Sequence, residues 1–277
     1  MMHFITILRP LNLLITLFCI LLSAHIFDQL TYSIIPLITV ILLLGGFANI
    51  INDVFDYQID QQNQPNRPLA SNNISITYAI IYAFLLISIS LMIIFIYQFN
   101  FTTKVLILVF NIPLIILYTP VFKKIPLLGN LIIAFILSMV FIVTATYLNG
   151  EINLIAPSAI LAFLLMSIRE MVKDIADLKG DKKFGIQTFP VRYGINRTFQ
   201  LIVLFFVILV FVSLAFYYYY FFNLEYLFSL LLCVLFPMTY YLYQLSKNKT
   251  SIYCIYLSKV LKLITIFGVI VIYLASI

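Results

Sequence analysis

Six aspartates carry most of the chemistry this sequence can offer. Asp53, Asp56 and Asp60 are spaced i, i+3, i+7, and Asp174, Asp177 and Asp181 repeat that spacing further along the chain. At 3.6 residues per turn, each triad falls on one face of a helix. Three like charges on one face repel, and at a helix C-terminus the backbone dipole disfavours each by ~0.3–1 kcal/mol. Something cationic should offset them. Hard oxygen ligands at this density suit Mg²⁺, which takes one or two carboxylates, retained waters and substrate phosphates. A single triad would read as a solvated polar cap. The repeat argues instead for two facing clusters that hold a pair of metal ions with an anionic ligand between them, so all six aspartates are candidate metal ligands and catalytic residues.

Basic residues complete that chemistry. Arg67, in Asn66-Arg67-Pro68, follows the first triad, Lys123-Lys124 come shortly after Tyr118, and Lys182-Lys183 and Arg192 follow the second triad. Lys and Arg beside Mg²⁺ are what a diphosphate requires. Arg67, Lys123 and Lys182 are the candidate phosphate ligands, with the choice between Lys123 and Lys124 open, whereas Lys247 and Lys249 read as topology determinants. Asn49 and Asn52 extend the first acidic stripe back along its helix and join the candidate site. Asn12 has two readings, substrate contact or a bond to a neighbouring helix worth about 0.6 kcal/mol. His3 and His25 sit near helix ends with no partner pattern, and no residue stands out as a general base.

These groups must be positioned by elements of an unusual composition. Of 277 residues, 64% are hydrophobic and only 9% charged, with a mean hydropathy of +1.13. So few charges cannot cover a water-soluble surface, which excludes a soluble globular enzyme. Nine spanning helices need about 180 apolar residues, close to what the composition supplies. Apolar runs fall at about 10–27, 33–52, 75–98, 104–118, 128–148, 155–173, 198–219, 222–243 and 258–276. Pro113 interrupts the fourth, and the seventh and eighth are divided only by the polar break at Asn223 and Glu225. The expected fold is an all-α polytopic membrane bundle of about nine transmembrane helices, one domain over residues 1–277.

With the N-terminus cytoplasmic, all of the 16 Lys and Arg residues but Lys104 fall on one side of the membrane. That bias is the positive-inside pattern, and it predicts a multi-pass protein of the cell membrane, N-terminus in. It also accounts for the net charge of +6 without invoking nucleic acid. Both acidic segments then lie in long cytoplasmic connections, about 53–74 and 174–197. Cys19, Cys233 and Cys254 lie in apolar stretches with no paired spacing, so neither disulfides nor a zinc site is indicated. No small-residue cleavage site follows the first apolar run, and no cleavable signal is expected.

Asn52-Asp53-x-x-Asp56-x-x-x-Asp60 resembles the first aspartate-rich motif of the UbiA-type intramembrane prenyltransferases, and Asp174-x-x-Asp177-x-x-x-Asp181 resembles their second. Arg9-Pro10-x-Asn12 and Tyr118 followed by Lys123 fit as well. The segments running from Asp56 to Leu69 and from Arg169 to Lys182 are most similar to the branch that makes digeranylgeranylglyceryl phosphate. Ala70-Ser71-Asn72 stands where a Gly often ends the family's Arg-Pro turn, and Asn tolerates positive φ. The resemblance implies Mg²⁺-dependent transfer of an isoprenyl group, geranylgeranyl in that branch, from its diphosphate to a lipid-soluble acceptor such as geranylgeranylglyceryl phosphate. It implies an allylic cation shielded from water by the helices, with Tyr118 and Phe55 as candidate aromatic faces. An aromatic acceptor of a quinone or tetrapyrrole pathway is the alternative within the family. A cation transporter is the alternative outside it, although such a protein would place ionisable groups near the bilayer midplane. Oligomeric state is left open.

Overall fold

The computed structural model describes residues 2–220 and 222–275. Every regular element among them is helical. In order these are α1 (Met2–Thr6), α2 (Pro10–Ile26), α3 (Ile35–Phe55), α4 (Tyr57–Asn63), α5 (Ile76–Ile96), α6 (Phe101–Val105), α7 (Ile112–Tyr118), α8 (Leu128–Tyr147), α9 (Ile152–Lys183), α10 (Phe189–Tyr193), α11 (Ile195–Tyr219), α12 (Leu224–Leu230), α13 (Phe236–Lys247) and α14 (Ser251–Ala275). All nine apolar runs are helical. Eight of the helices are long and apolar enough to cross a membrane, and Pro10–Ile26 is a shorter apolar helix. Its 17 residues reach about 25 Å, just under the hydrocarbon thickness of a bilayer. Phe221, next to the expected break, and Ser276, at the end of the last run, lie outside the described residues.

Pro113 does not break the fourth run. A π-helical segment, Leu106–Asn111, joins α6 to α7 as one helix, and a second, Leu231–Leu235, joins α12 to α13 just before Pro237. A proline lacks the N–H for the i−4 carbonyl and its ring collides with that carbonyl. The wider π turn opens the helix where the ring needs space, so the span stays continuous. The expected long connections are shorter than the sequence suggests. Residues 174–183 remain in α9, which runs for 32 residues, because the acidic stripe keeps helical periodicity instead of starting a loop.

The chain forms two compact units, residues 1–122 with 139–155, and residues 123–138 with 156–277. In the first, Ile20, Leu37, Val40, Ile41, Ile94, Ile107 and Val143 belong to a buried apolar cluster. α3 packs on α2 and α5 there. A Cβ placed on Gly46 would come within 2.9 Å of Leu8 Cδ2 and 3.2 Å of Leu86 Cδ1, so glycine lets these leucines close on α3 without shifting. In the second unit Ile168, Met171, Ile202, Tyr226, Met238 and Leu257 are buried together. Phe84, Phe95, Phe211, Leu232 and Ile252 are all more than 60% exposed, an outward apolar surface suited to lipid. Hydroxyls inside the helices are returned to their own backbone, as in Ser23 to Cys19, Ser90 to Leu86, Thr144 to Val140 and Ser167 to Phe163. Away from water no cheaper partner exists.

Candidate active site

The first acidic triad lies where α3 gives way to α4. Asp53 is in the last turn of α3, Asp60 is in α4, and Asp56 is the joint between them, with φ −87° and ψ 6°. The i→i−4 pattern continues across the joint, through Asp56 N–H to Asn52 O (2.9 Å) and Asp60 N–H to Asp56 O (2.8 Å). The three carboxylates therefore stay on one side, and all are buried. Arg67 reaches two of them, donating to Asp53 at 3.2 Å and to Asp60 at closer range. Arg9 pairs with Asp53 as well.

Local structure explains both arginines. Arg67-Pro68-Leu69-Ala70-Ser71 makes a single helical turn closed by Asn72, whose φ is +60°. Asn73 N–H to Pro68 O and Asn72 N–H to Leu69 O are the two bonds of a Schellman closure. The left-handed residue is Asn72, and Tyr57 Oη donates to its side-chain oxygen at 2.8 Å. Arg9 also has positive φ (54°), directly before Pro10. A non-glycine residue there is strained, and before proline doubly so. The ion pair to a buried carboxylate offsets that strain.

The asparagines act on this cluster from behind. Asn49 donates to Leu8 O at 2.9 Å and so anchors the residue preceding Arg9. Asn52 accepts from Thr119 at 2.7 Å, which ties the end of the Tyr118 helix to α3. Asn12 is half-buried at the start of α2 with no side-chain hydrogen bond among the described residues. Tyr118 is half-buried, whereas Phe55 is 51% exposed.

Burial pushes the Asp60 carboxyl up to about 6, with Asp56 and Asp53 adding to the rise and Arg67 opposing it. Desolvation of the charged form is the largest cause.

The second triad lies along the C-terminal part of α9. Asp174 accepts from Asn130 at 2.9 Å, and Asp181 accepts from Thr188 at 3.3 Å. Asp177 is half-buried. The stripe has a fourth member. Glu170, one turn before Asp174, is buried and paired with Arg169 (2.5 Å) and Lys173 (3.4 Å). α9 ends in its own Schellman closure, with Gly185 at φ +72° and Ile186 N–H to Asp181 O at 2.9 Å, which brings Thr188 back onto Asp181. Lys123 is half-buried and Lys124 exposed, in a short 3-10 turn. Lys182 is exposed and lines a cavity of the same unit.

Sequence reasoning does not single out Arg9, Asn130 or Glu170 as site residues. Glu170 carries a usable signal, because it continues the spacing of the second triad back by four residues. Arg9 enters only through the resemblance of Arg9-Pro10-x-Asn12 and Asn130 carries no signal, and each meets its aspartate from 44 residues away.

Among the described residues no group of three or more His, Cys, Asp or Glu side chains forms a ready-made metal cage. The donor set still fits Mg²⁺, which draws one or two carboxylates from a protein and completes its shell with water and phosphate. Buried carboxylates backed by guanidinium and amide groups can hold a metal-bound diphosphate.

The model of the UbiA prenyltransferase family matches residues 12–273. A Methanosphaera stadtmanae protein named digeranylgeranylglyceryl phosphate synthase is 31% identical over 261 residues, covering 94% of each chain. A Thermococcus sibiricus protein of the same name is 37% identical over 216 residues, covering 76% of this chain and 75% of its own. Among solved structures, one concerned with digeranylgeranylglyceryl phosphate synthase superposes with a TM-score of 0.74 at 23% identity, covering 99% of this chain and 97% of that one. A UbiA homologue from Archaeoglobus fulgidus bound to DMAPP and Mg²⁺ superposes with a TM-score of 0.69 at 18% identity, covering 98% and 99%. The chain belongs to the UbiA prenyltransferase family and is a multi-span, all-helical prenyltransferase.

Proposed function

We propose that this prenyltransferase moves a geranylgeranyl group from geranylgeranyl diphosphate to the hydroxyl of geranylgeranylglyceryl phosphate, with Mg²⁺, in ether-lipid synthesis. The observation that carries the reading is the buried cluster in which Arg67 bridges Asp53 and Asp60 while Arg9 holds Asp53 from another side. The relatives named digeranylgeranylglyceryl phosphate synthase, matched over most of their length, support the acceptor.

Asp53, Asp56, Asp60, Asp174, Asp177 and Asp181 are the proposed metal ligands. Bound Mg²⁺ would neutralise the diphosphate and improve it as a leaving group. Arg67 and Lys123 contribute charge-assisted hydrogen bonds to phosphate oxygens, and Asn52, tied to Thr119, keeps the Tyr118 segment in place. Asn12, with its amide uncommitted, is a proposed substrate contact, and Asn49 supports Arg9 from behind. As the C1–O bond to diphosphate breaks, the Tyr118 ring face stabilises the allylic cation by ~0.5–2 kcal/mol. The acceptor's hydroxyl oxygen forms the new bond to C1, and its proton leaves with the diphosphate or to water. Apolar walls exclude bulk water, which would otherwise quench the cation.

We place both acidic segments on the cytoplasmic face of the cell membrane, on the strength of the Lys and Arg bias. A cysteine introduced at Gln64 should then label only from the cytoplasmic side.

The reaction is tested with purified protein, geranylgeranyl diphosphate, Mg²⁺ and competing acceptors, the product being weighed by mass spectrometry. A digeranylgeranylglyceryl phosphate product that EDTA abolishes supports the scheme. Full activity after Asp56→Ala or Asp177→Ala would end it, and preference for an aromatic acceptor would move the protein to another branch.

A further inference from the structure

A cavity of about 630 Å³ opens in the second unit, at the end of the helices where α9 finishes and α11 begins. Lys182, Arg197 and Lys249 line it, and no carboxylate does. Its volume is that of an ordinary small-molecule site. At about 100° per residue, Leu178 and Lys182 lie roughly a quarter-turn around α9 from the stripe of Asp174, Asp177 and Asp181. The basic cavity and the acidic face are therefore different surfaces of one helix.

Lys249, half-buried, is held in place without being neutralised, whereas Lys182 and Arg197 are exposed. Lys249 donates to Asn196 at 2.8 Å and lies 4.9 Å from the centre of the Phe199 ring. Ser251, two residues on, bonds the Ala176 carbonyl at 2.5 Å and keeps this corner against α9. Among the described residues neither Lys182 nor Arg197 meets a carboxylate. The wall includes the first residues of α11, a 25-residue helix with no side-chain cap. Its opening N–H groups have no acceptor within the helix, and its dipole adds positive potential. Leu178, Val191 and Ile195 make the remaining wall apolar.

We propose that this cavity binds the phosphate of a membrane lipid, as a site separate from the acidic triads. Three cations lining one cavity with no acid suit a phosphate anion, and the apolar residues beside them suit one attached to a glycerol and a hydrocarbon chain. α11 runs from this point into a membrane-spanning helix, so the cavity sits at headgroup depth, where lipid is the abundant source of phosphate. The lysine that reads from sequence as a topology determinant, Lys249, is part of a built site. The inference holds whether or not the chain transfers geranylgeranyl.

Two lipids carry the same chemistry, a phosphomonoester such as the proposed acceptor and a bulk phosphodiester. The full chain is placed in phosphatidylcholine nanodiscs doped with phosphatidic acid or with phosphatidylglycerol, and retained lipid is read by native mass spectrometry. Arg197→Gln with Lys249→Gln should lower retention at least tenfold, while the charge-preserving pair Arg197→Lys and Lys249→Arg keeps it. Lys247→Gln with Lys259→Gln removes the same charge elsewhere and should change it less than twofold. Selective retention of phosphatidic acid points to an acceptor-type monoester, and equal retention of both points to bulk anionic lipid. Equal loss in the control pair, undiminished retention in the cavity variant, or binding of inorganic phosphate but neither lipid would overturn the proposal.

Discussion

The Asn49 side-chain amide donates to the Leu8 carbonyl at 2.9 Å, and the next residue, Arg9, is ion-paired to Asp53 one turn further along α3. A single helix therefore supplies both the carboxylate and the group that aims its arginine. Asn49→Ala should lower kcat/KM about tenfold while costing the fold only about 1 kcal/mol, the net worth of one hydrogen bond. Asn49→Asp, which cannot donate, should do the same. If the effect runs through Arg9, the double variant with Arg9→Ala loses little more than Arg9→Ala alone. Additive losses would show that Asn49 acts independently.

Arg67 donates to two buried carboxylates at once, and its own side chain is 21% exposed. Removing it leaves Asp53 and Asp60 with less compensation for burial. Arg67→Ala should cost roughly 2 kcal/mol of stability, below the full penalty of a wholly buried pair because water reaches the guanidinium. Both contacts run through one nitrogen, Nη1, so Arg67→Lys should recover part of the loss, limited by the shorter side chain and the different geometry of an ammonium. Thermal melts in one detergent, with and without Mg²⁺, measure both.

How much of this was legible beforehand depends on range. The apolar runs were readable because lipid requires about 20 apolar residues in a row, and the α9 triad because its period is helical. The joint at Asp56 was not, since the same spacing also fits an unbroken helix. The pairing of Arg9 with Asp53 and of Asn130 with Asp174 each spans 44 residues, and no local pattern encodes such contacts. The fourth run is one span despite Pro113. A proline signals a break, and the π segment that absorbs it has no sequence signature of its own.

The Asp60 carboxyl, raised by burial to about 6, gives a pH dependence with a definite sign. Its folded-state pKa lies above that of an unfolded aspartate, so protonation favours the apo fold, and that stability is lost as pH rises through about 6. Mg²⁺ needs the ionised form. Acidifying from pH 7.5 to 5.5 should therefore raise the Mg²⁺ concentration for half-maximal activity about fourfold through this group alone. Asp60→Asn should weaken Mg²⁺ at pH 7.5 and flatten the dependence. An equally steep profile in that variant would assign the titration elsewhere.

Asn130 is 5% exposed and gives its amide to Asp174 at 2.9 Å. A neutral donor orients a carboxylate without cancelling its charge, which suits a metal ligand better than an arginine would. Asn130→Leu should raise the Mg²⁺ requirement about tenfold, in the range typical of lost outer-shell partners. Asn130→Asp should be worse, because two acids would then face each other. Saturating Mg²⁺ should rescue the leucine variant substantially, and failure to rescue would make Asn130 a packing residue only.

Asn111 closes the π segment before Pro113 and is 6% exposed, and its Oδ1 accepts no hydrogen bond among the described residues. A buried polar atom left unmade costs about 1–3 kcal/mol, and inside a membrane helix such a group is ordinarily kept for function. It precedes Tyr118 by two helical turns along the same helix. Asn111→Leu should raise the melting temperature of the apo protein while lowering transfer at least tenfold, the usual opposition between stability and a functional polar group. A variant that is both more stable and fully active would show that the amide is tolerated rather than used.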